Sequence, residues 1–273
     1  MDTENKNVSI TFDLLNSILE AEFSITTTRL LIGMIFLQDR HELWRTDDLY
    51  MQDTTRASMW CFGAELRHLV GPSKANKAAP LLNLIAEVSG SGLFDAIHMS
   101  NRNHRIHWCF SSAVHQLMAL RWSDDFALID IRHAAACRSA TTLNLYCRIR
   151  NLRNHRIPEF EIPLSKRWCD YRREFFQSLQ QAVELAGTTA FVGLEWVRRG
   201  NGQQRLLIRL RHEGTTWFPD KLRSWSLNSR VFRVSHYEVA EIDKRDFREY
   251  AIDGENPTDV EANLRKNLPA ASR

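Results

Sequence analysis

The hydrophobic pattern of the chain predicts a group of helices followed by a β-hairpin, and this arrangement occurs twice. In the first half, apolar residues recur at intervals of three and four, the period of a helix with one buried face. Such helices are predicted within residues 13–22, 24–37, 57–69 and 74–88, and Pro80 inside the last of them favours a helix start close to that residue. Two β-prone runs, at 93–99 and 105–110, then flank a polar segment and predict a hairpin.

The second half repeats the order of the first. Its predicted elements are helices at 139–150 and 171–186, an extended piece at 160–164, and strands at 188–198 and 205–211. Gly187 follows the longest of these helices at the position where glycine commonly ends one. A repeated unit of helices and a hairpin is typical of tandem winged-helix proteins. The predicted fold class is therefore α+β, with two tandem winged-helix domains, each a helical bundle with a β-hairpin wing.

Charge is distributed unevenly along the 273 residues, although the net charge is only +3. Residues 1–131, the predicted N-terminal domain, hold 11 Lys/Arg against 16 Asp/Glu. Residues 132–212, the predicted C-terminal domain, hold 15 against 6, and all but one of the 15 are arginine. Residues 213–273 hold 10 against 11 and form an extension with no assigned role. Arginine forks onto phosphates and guanine edges, so the middle segment indicates a nucleic-acid partner.

The helix at 171–186 is the predicted recognition helix of the second domain. Its apolar residues fall on one face, and its opposite side carries Arg172, Arg173, Gln177 and Gln180. An α-helix fits the major groove of duplex DNA, where arginine pairs with guanine and glutamine with adenine through two hydrogen bonds. The alternative interpretation of this face is an ordinary solvated helix surface.

Basic and amide side chains also surround the loop that follows this helix. A wing that reaches phosphates or an adjoining minor groove would use such residues, which here are Arg198, Arg199, Asn201, Gln203, Gln204 and Arg205. In the first domain Arg102 and Arg105 are the predicted wing residues, and the predicted phosphate contacts are Arg67, His68, Lys74 and Lys77. Because its balance is acidic, the first domain is expected to make a secondary DNA contact or to pair with a second copy.

No catalytic, metal or cofactor site is predicted from the sequence. The five cysteines are scattered and never form CxxC, so they are interpreted as buried small residues in a reducing compartment. There is no glycine-rich phosphate loop and no GxSxG. No basic-then-apolar leader and no apolar run of about 18 residues is present, so a cytoplasmic protein without a membrane partner is expected.

Two stretches of the chain resemble the iteron-binding replication initiators of plasmids. Residues 106–149 contain IHWCFSS, DDFALIDI and RSATTLNLYCRI, which are similar to the junction between the two winged helices of that family. The later YRREFFQSLQQAVELAG and its hairpin resemble the family's second winged helix.

This resemblance implies two winged-helix domains related by pseudo-twofold symmetry. It implies binding to direct repeats at a replication origin and opening of nearby DNA, with the host's initiator ATPase and replicative helicase as partners. It also implies a homodimer that represses its own promoter and a monomer that initiates. Bases of the repeats would then be contacted by Arg172, Arg173 and Gln177, and the DNA backbone by Arg199 and Arg205.

Two other functions remain open from the sequence. One is a tandem winged-helix transcriptional regulator without a role in replication, which an inverted repeat beside the gene would favour over direct repeats. The other is a protein-interaction module whose arginines meet acidic partners.

Overall fold

The chain folds into a mixed α+β structure that divides into two compact units, residues 1–155 and 156–273. The computed structural model describes residues 6–41, 58–71, 78–119, 126–152, 159–164, 167–198, 200, 204–213 and 229–243. The two units are described separately below.

As far as its residues are described, the first unit contains helices and two small antiparallel sheets. In chain order its elements are β1 (Asn7–Thr11), α1 (Phe12–Glu20), α2 (Ile25–Arg40), β2 (Met59–Phe62), α3 (Gly63–Val70), α4 (Ala79–Val88), β3 (Phe94–Ser100), β4 (Arg105–Phe110), α5 (Ser112–Ala119), β5 (Phe126–Asp130), α6 (Ile131–Ala136) and α7 (Ala140–Asn151). Strand β1 pairs with β5, and β2, β3 and β4 form a sheet in the order β2-β4-β3. All these pairs are antiparallel.

Helix α2 lies at the centre of the first unit, and most of its residues are buried. The side-chain oxygen Oε1 of Gln38, on this helix, accepts a hydrogen bond from Nε1 of the buried Trp108 on β4, at 3.2 Å. This bond joins the helix to the sheet. A Cβ on Gly33 would lie 2.3 Å from Cγ1 of Val70. Glycine at this position therefore allows α2 and α3 to approach closely.

The β3–β4 hairpin is fastened to the helices at its tip. The backbone N–H of Gly63, the first residue of α3, donates to the carbonyl of His104 at 2.8 Å. A Cβ on Gly63 would lie 2.5 Å from Cδ1 of Leu81 on α4. The tip residues Asn101, Arg102 and Asn103 all have positive φ angles, of 49°, 52° and 66°. The start of α3, α4 and the hairpin tip are thus held together.

The second unit packs a long helix on an antiparallel sheet. Its elements are β6 (Glu159–Pro163), α8 (Trp168–Ala186), β7 (Ala190–Arg198), β8 (Gln204–His212), β9 (Arg230–Val234) and β10 (Val239–Ile242). Within the described residues the strands lie in the order β10-β9-β7-β8-β6. Ring contacts join α8 to the sheet: Trp168 lies 5.5 Å from Trp196, and Phe176 lies 4.8 Å from Phe232, measured between ring centroids.

The structure corrects one predicted helix and adds elements that were not predicted, namely strands β1, β5, β9 and β10 and helices α5 and α6. Residues 59–62, predicted as part of a helix at 57–69, form strand β2, and α3 begins only at Gly63. The alternation of buried and exposed residues in Met59–Phe62 is that of a strand with one solvent-facing side. Strands β9 and β10 lie in the segment 213–273, which was given no structure from the sequence.

The predicted boundary at 131/132 falls inside the first compact unit. Strand β5 ends at Asp130 and α6 begins at the next residue, with Asp130 accepting a hydrogen bond from the N–H of Arg132 at 2.8 Å. The backbone N–H of Asp130 also donates to the hydroxyl of Tyr146 on α7, at 3.2 Å. These contacts hold α6 and α7 against β5, so the chain continues in the first unit through α7.

Candidate nucleic-acid interface

Helix α8 is fixed on the sheet by one apolar face and ends at a glycine. Its most buried side chains include Phe175, Leu179, Ala182 and Val183, which recur at helical spacing as predicted. Gly187 adopts the left-handed conformation, with φ 62°, and its N–H bonds to the carbonyl of Glu184 at 2.9 Å. The buried face and the cap together determine which side of α8 meets solvent.

The solvent-facing side of α8 carries two of the predicted DNA-contacting residues on neighbouring turns. Arg173 and Gln177 are both exposed and lie four residues apart, so they occupy neighbouring turns of one face. Gln180 follows three residues later and is half-buried. In the described part of the chain Arg173 contacts no carboxylate. Its donors are therefore available to a ligand.

Arg172 is exposed as well, but its side chain leans toward the sheet. Its guanidinium lies 5.8 Å from the ring centre of Phe176. Hydrogen bonds from Arg230 hold the pKa of Glu241 below its usual value, and the positive charge of Arg172 adds to this effect. Arg172 therefore lies close to Glu241 of β10.

The hairpin β7–β8 places in different environments the two arginines that were predicted as DNA contacts and lie within the described residues. Arg198, the last residue of β7, is exposed. Arg205 is an ion-pair partner of Glu161 on β6, with Nε to Oε2 at 3.0 Å and side-chain exposures of 29% and 17%. The predicted contacts Arg199, Asn201 and Gln203 lie outside the described residues, as do Lys74 and Lys77 of the first unit.

Several arginines of the basic segment have carboxylate partners within the protein. Arg209 pairs with Glu195 at 2.7 Å and with Glu159 at 3.1 Å, across three strands of the sheet. Arg148 is almost fully buried in the first unit, where it bonds to Asn16 and pairs with Glu20 at 3.6 Å. The positive balance counted along the sequence thus overstates the charge that the surface presents.

In the first unit, the joint between the hairpin tip and the helices forms a cleft. The residues that line it include Arg67 and Ala64 of α3, Ala78 at the start of α4, and Arg102 and His104 of the tip. Arg102 is exposed, as a wing residue must be, whereas the Arg67 residue is only 9% exposed. The cleft is therefore lined by two guanidinium groups and the start of a helix.

The outer face of the β2-β4-β3 sheet is a surface that the sequence reasoning missed. Trp60 and Phe62 project from β2 and are each 47% exposed, although they are large aromatic residues. Arg105, predicted as a wing residue, instead places its guanidinium over both rings. The sequence signal was a short run of large apolar residues, Met59–Phe62, directly before Gly63, and it was interpreted as part of a helix.

Among the described residues there is no group of three or more His, Cys, Asp or Glu side chains arranged to hold a metal ion. Over the same part of the chain, no helix combines the length and apolar character that crossing a bilayer requires.

Comparison with known proteins gives a structural similarity but no match of sequence. No protein-family model matches the chain, and no curated protein matches its sequence. Among solved structures, it is similar to the Pi initiator protein in complex with iteron DNA, with a TM-score of 0.47 and 12% sequence identity. The similarity covers 77% of this chain and 98% of that chain. At so low an identity, function has to be argued from this chain's own residues.

Proposed function

We propose that this protein binds double-stranded DNA sequence-specifically and that α8 enters the major groove. The observation that carries this proposal is the placement of Arg173 and Gln177 one turn apart on the exposed face of α8. Their donors and acceptors match the edges of guanine and adenine in the major groove. The buried face of the same helix holds it against the sheet, so these side chains stand on a rigid support.

Strand order supports a winged-helix interpretation of both units. In the first, α2, β2, α3, α4 and the β3–β4 hairpin follow one another, and the sheet order is β2-β4-β3. A winged helix has this connectivity, with the hairpin as its wing. In the second unit β6, β8 and β7 adjoin in the same way, with α8 between β6 and the hairpin. We therefore propose two tandem winged-helix domains.

The residues predicted for the two wings differ in how accessible their side chains are to DNA. Arg198 and Arg102 are exposed and are proposed to contact DNA phosphates. Arg205 is ion-paired with Glu161, and Arg105 lies on aromatic rings, so neither is included among the phosphate contacts. Base selection is thus assigned to α8, and the wings are assigned to positioning.

The specific role that we propose is initiation of plasmid replication at repeated sites. Its support is the sequence resemblance of residues 106–149 and 171–187 to iteron-binding initiators. Under this proposal the chain pairs with a second copy in one state and works with a host initiator ATPase and helicase. Direct repeats beside the gene would support this role, whereas a lone inverted repeat would indicate a transcriptional regulator.

Selection of bound duplexes from a random pool, followed by titration of Arg173→Ala, tests the proposal. We expect one enriched sequence, and we expect the variant to bind it with a loss of about 1–3 kcal/mol and relaxed preference at one base pair. The reason is that a two-bond arginine–guanine pair supplies discrimination of this size. A matched control is Arg167→Ala, because Arg167 lies at the start of the same helix in an ion pair with Asp170. No enrichment, or equal loss for both variants, would contradict the assignment of α8.

A further inference from the structure

The outer face of the β2-β4-β3 sheet is a second surface with its own chemistry. Strand pairing aligns its residues in rows: Phe62, Arg105 and Ser100 form one, and Trp60, His107 and His98 form the next. The opposite face of the same strands holds Ile106, Trp108 and Phe110, which are buried. The outward rows therefore form a flat surface of aromatic and basic side chains, which we call the aromatic face.

The rings of the aromatic face contact one another and a guanidinium. Trp60 and Phe62 meet edge to face, with ring centroids 5.7 Å apart. His98 and His107 are stacked, 5.0 Å apart and within 3° of parallel. The carbon at the centre of the Arg105 guanidinium lies 4.4 Å from the Trp60 ring centre and 5.3 Å from that of Phe62. Both rings remain half exposed with this cation in place.

The aromatic face has no acidic residue at its paired positions, and the exposed Asp95 of β3 lies at the bulge beside Ala96. The outward residues that strand pairing aligns are Trp60, Phe62, Ala96, His98, Ser100, Arg105, His107 and Cys109, and none of them is acidic. Burial lowers the pKa of His107, and the positive charges of His98 and Arg105 lower it further. These effects favour the neutral form of His107, so the fixed positive charge at the paired positions is that of Arg105, beside the exposed rings.

We propose that the aromatic face binds single-stranded nucleic acid by stacking unpaired bases on Trp60 and Phe62. Stacking on aromatic rings and on arginine planes, with cations close to the backbone, is how proteins hold single strands without sequence preference. A duplex cannot use this surface, because its bases are already stacked and paired. The inference thus goes beyond duplex binding by α8 and rests on different residues.

Charge favours a nucleic acid over a second copy of the chain as the occupant. In a twofold interface the same patch meets itself, so the guanidinium of Arg105 would lie close to its own counterpart. Like charges across an interface are unfavourable, and no carboxylate at the paired positions would offset them. A polyanion offers the complementary charge.

Fluorescence anisotropy with labelled oligo(dT) and oligo(U) of about 16 nucleotides tests the proposal on the full chain. We expect Trp60→Ala and Phe62→Ala each to weaken binding of one or both probes roughly tenfold. Trp60→Phe, which keeps a ring, should retain most of the affinity. The matched control is Phe126→Ala, because Phe126 is also exposed, at 43%, on a different strand of the same unit. It should bind like the parent.

Three results would overturn the inference. One is equal binding of both probes by Trp60→Ala, Phe62→Ala and the parent, with circular dichroism showing that the variants are folded. Another is equal loss by Phe126→Ala. The third is conversion of an oligomer into a monomer by Trp60→Ala in light scattering, which would make the aromatic face an interface between copies. Arg173→Ala should leave single-strand binding unchanged, so failure of the duplex proposal is seen separately.

Discussion

Arg198 and Arg205 lie on the two strands of one hairpin, and the structure predicts opposite results when each is changed to alanine. Arg198 is exposed at the end of β7 and contacts no carboxylate among the described residues. Arg205 is less than a third exposed, and Glu161 lies 3.0 Å from its guanidinium. Only the first has a positive charge that a phosphate can use without breaking an internal pair.

The expected size of the Arg198→Ala effect follows from counterion release. Each neutralised phosphate contributes about 0.9 to the slope of log affinity against log salt concentration. Losing one contact therefore flattens the slope by about 0.9 and lowers affinity at 0.1 M salt by about eightfold, whatever the DNA sequence. Arg205→Ala should leave the slope nearly unchanged and instead reduce the free energy of unfolding by about 1 kcal/mol.

The assay is titration of a labelled duplex at several salt concentrations, with urea unfolding measured in parallel. Glu161→Gln provides a third variant, because it removes the partner of Arg205 and leaves the arginine in place. It should steepen the salt slope if pairing with Glu161 is what withholds Arg205 from DNA. A flattened slope for Arg205→Ala together with an unchanged slope for Arg198→Ala would refute this reasoning.

Two further predictions concern stability. Burial acts to raise the pKa of Asp130, but hydrogen bonds from Arg132 outweigh it, and with the nearby charges of His133 and Arg132 they hold the pKa below its usual value. The ionised Asp130 thus stabilises the fold above about pH 4, and this contribution is lost as pH falls further. Asp130→Asn should therefore flatten the acid side of a plot of unfolding free energy in urea against pH. An identical plot for the variant and the parent would contradict this. Gly33→Ala should lower the free energy of unfolding in urea by about 1–2 kcal/mol. The added Cβ would overlap Val70, and the cost of that overlap should exceed the gain of roughly 1 kcal/mol in helix propensity. Adding Val70→Ala should relieve part of that overlap, so the double variant should lose less stability than the two single variants together. Losses that simply add would contradict the overlap with Val70 as the cause.

Local patterns in the sequence predicted the elements whose signals are strong. Helix α8 was predicted with its buried face and its C-terminal glycine, because both depend on residues within one segment. The hairpin β3–β4 was predicted for the same reason. Strand β2 was not, since four residues are too few to show a period, and the helix that follows at Gly63 supplied the stronger signal.

Local patterns in the sequence could not predict which arginines of the candidate interface form ion pairs within the protein. Glu161 and Arg205 are 44 positions apart, and only the pairing of β6 with β8 makes them neighbours. Arg148 likewise meets Glu20 and Asn16 through the packing of the first unit. A count of arginines along 132–212 gives equal weight to a buried guanidinium and to an exposed one. The pairing decides which of them can contact DNA.

The two proposed surfaces require opposite states of the same ligand. Arg173 and Gln177 project from a rod-shaped helix and need a groove whose base edges are held in register, which only a duplex offers. Trp60 and Phe62 project from a flat sheet and need base faces, which only an opened or single strand offers. Because these pairs lie in different compact units, variants at each measure one surface at a time. A protein with both surfaces would bind a duplex through α8 and a strand released from it through the aromatic face.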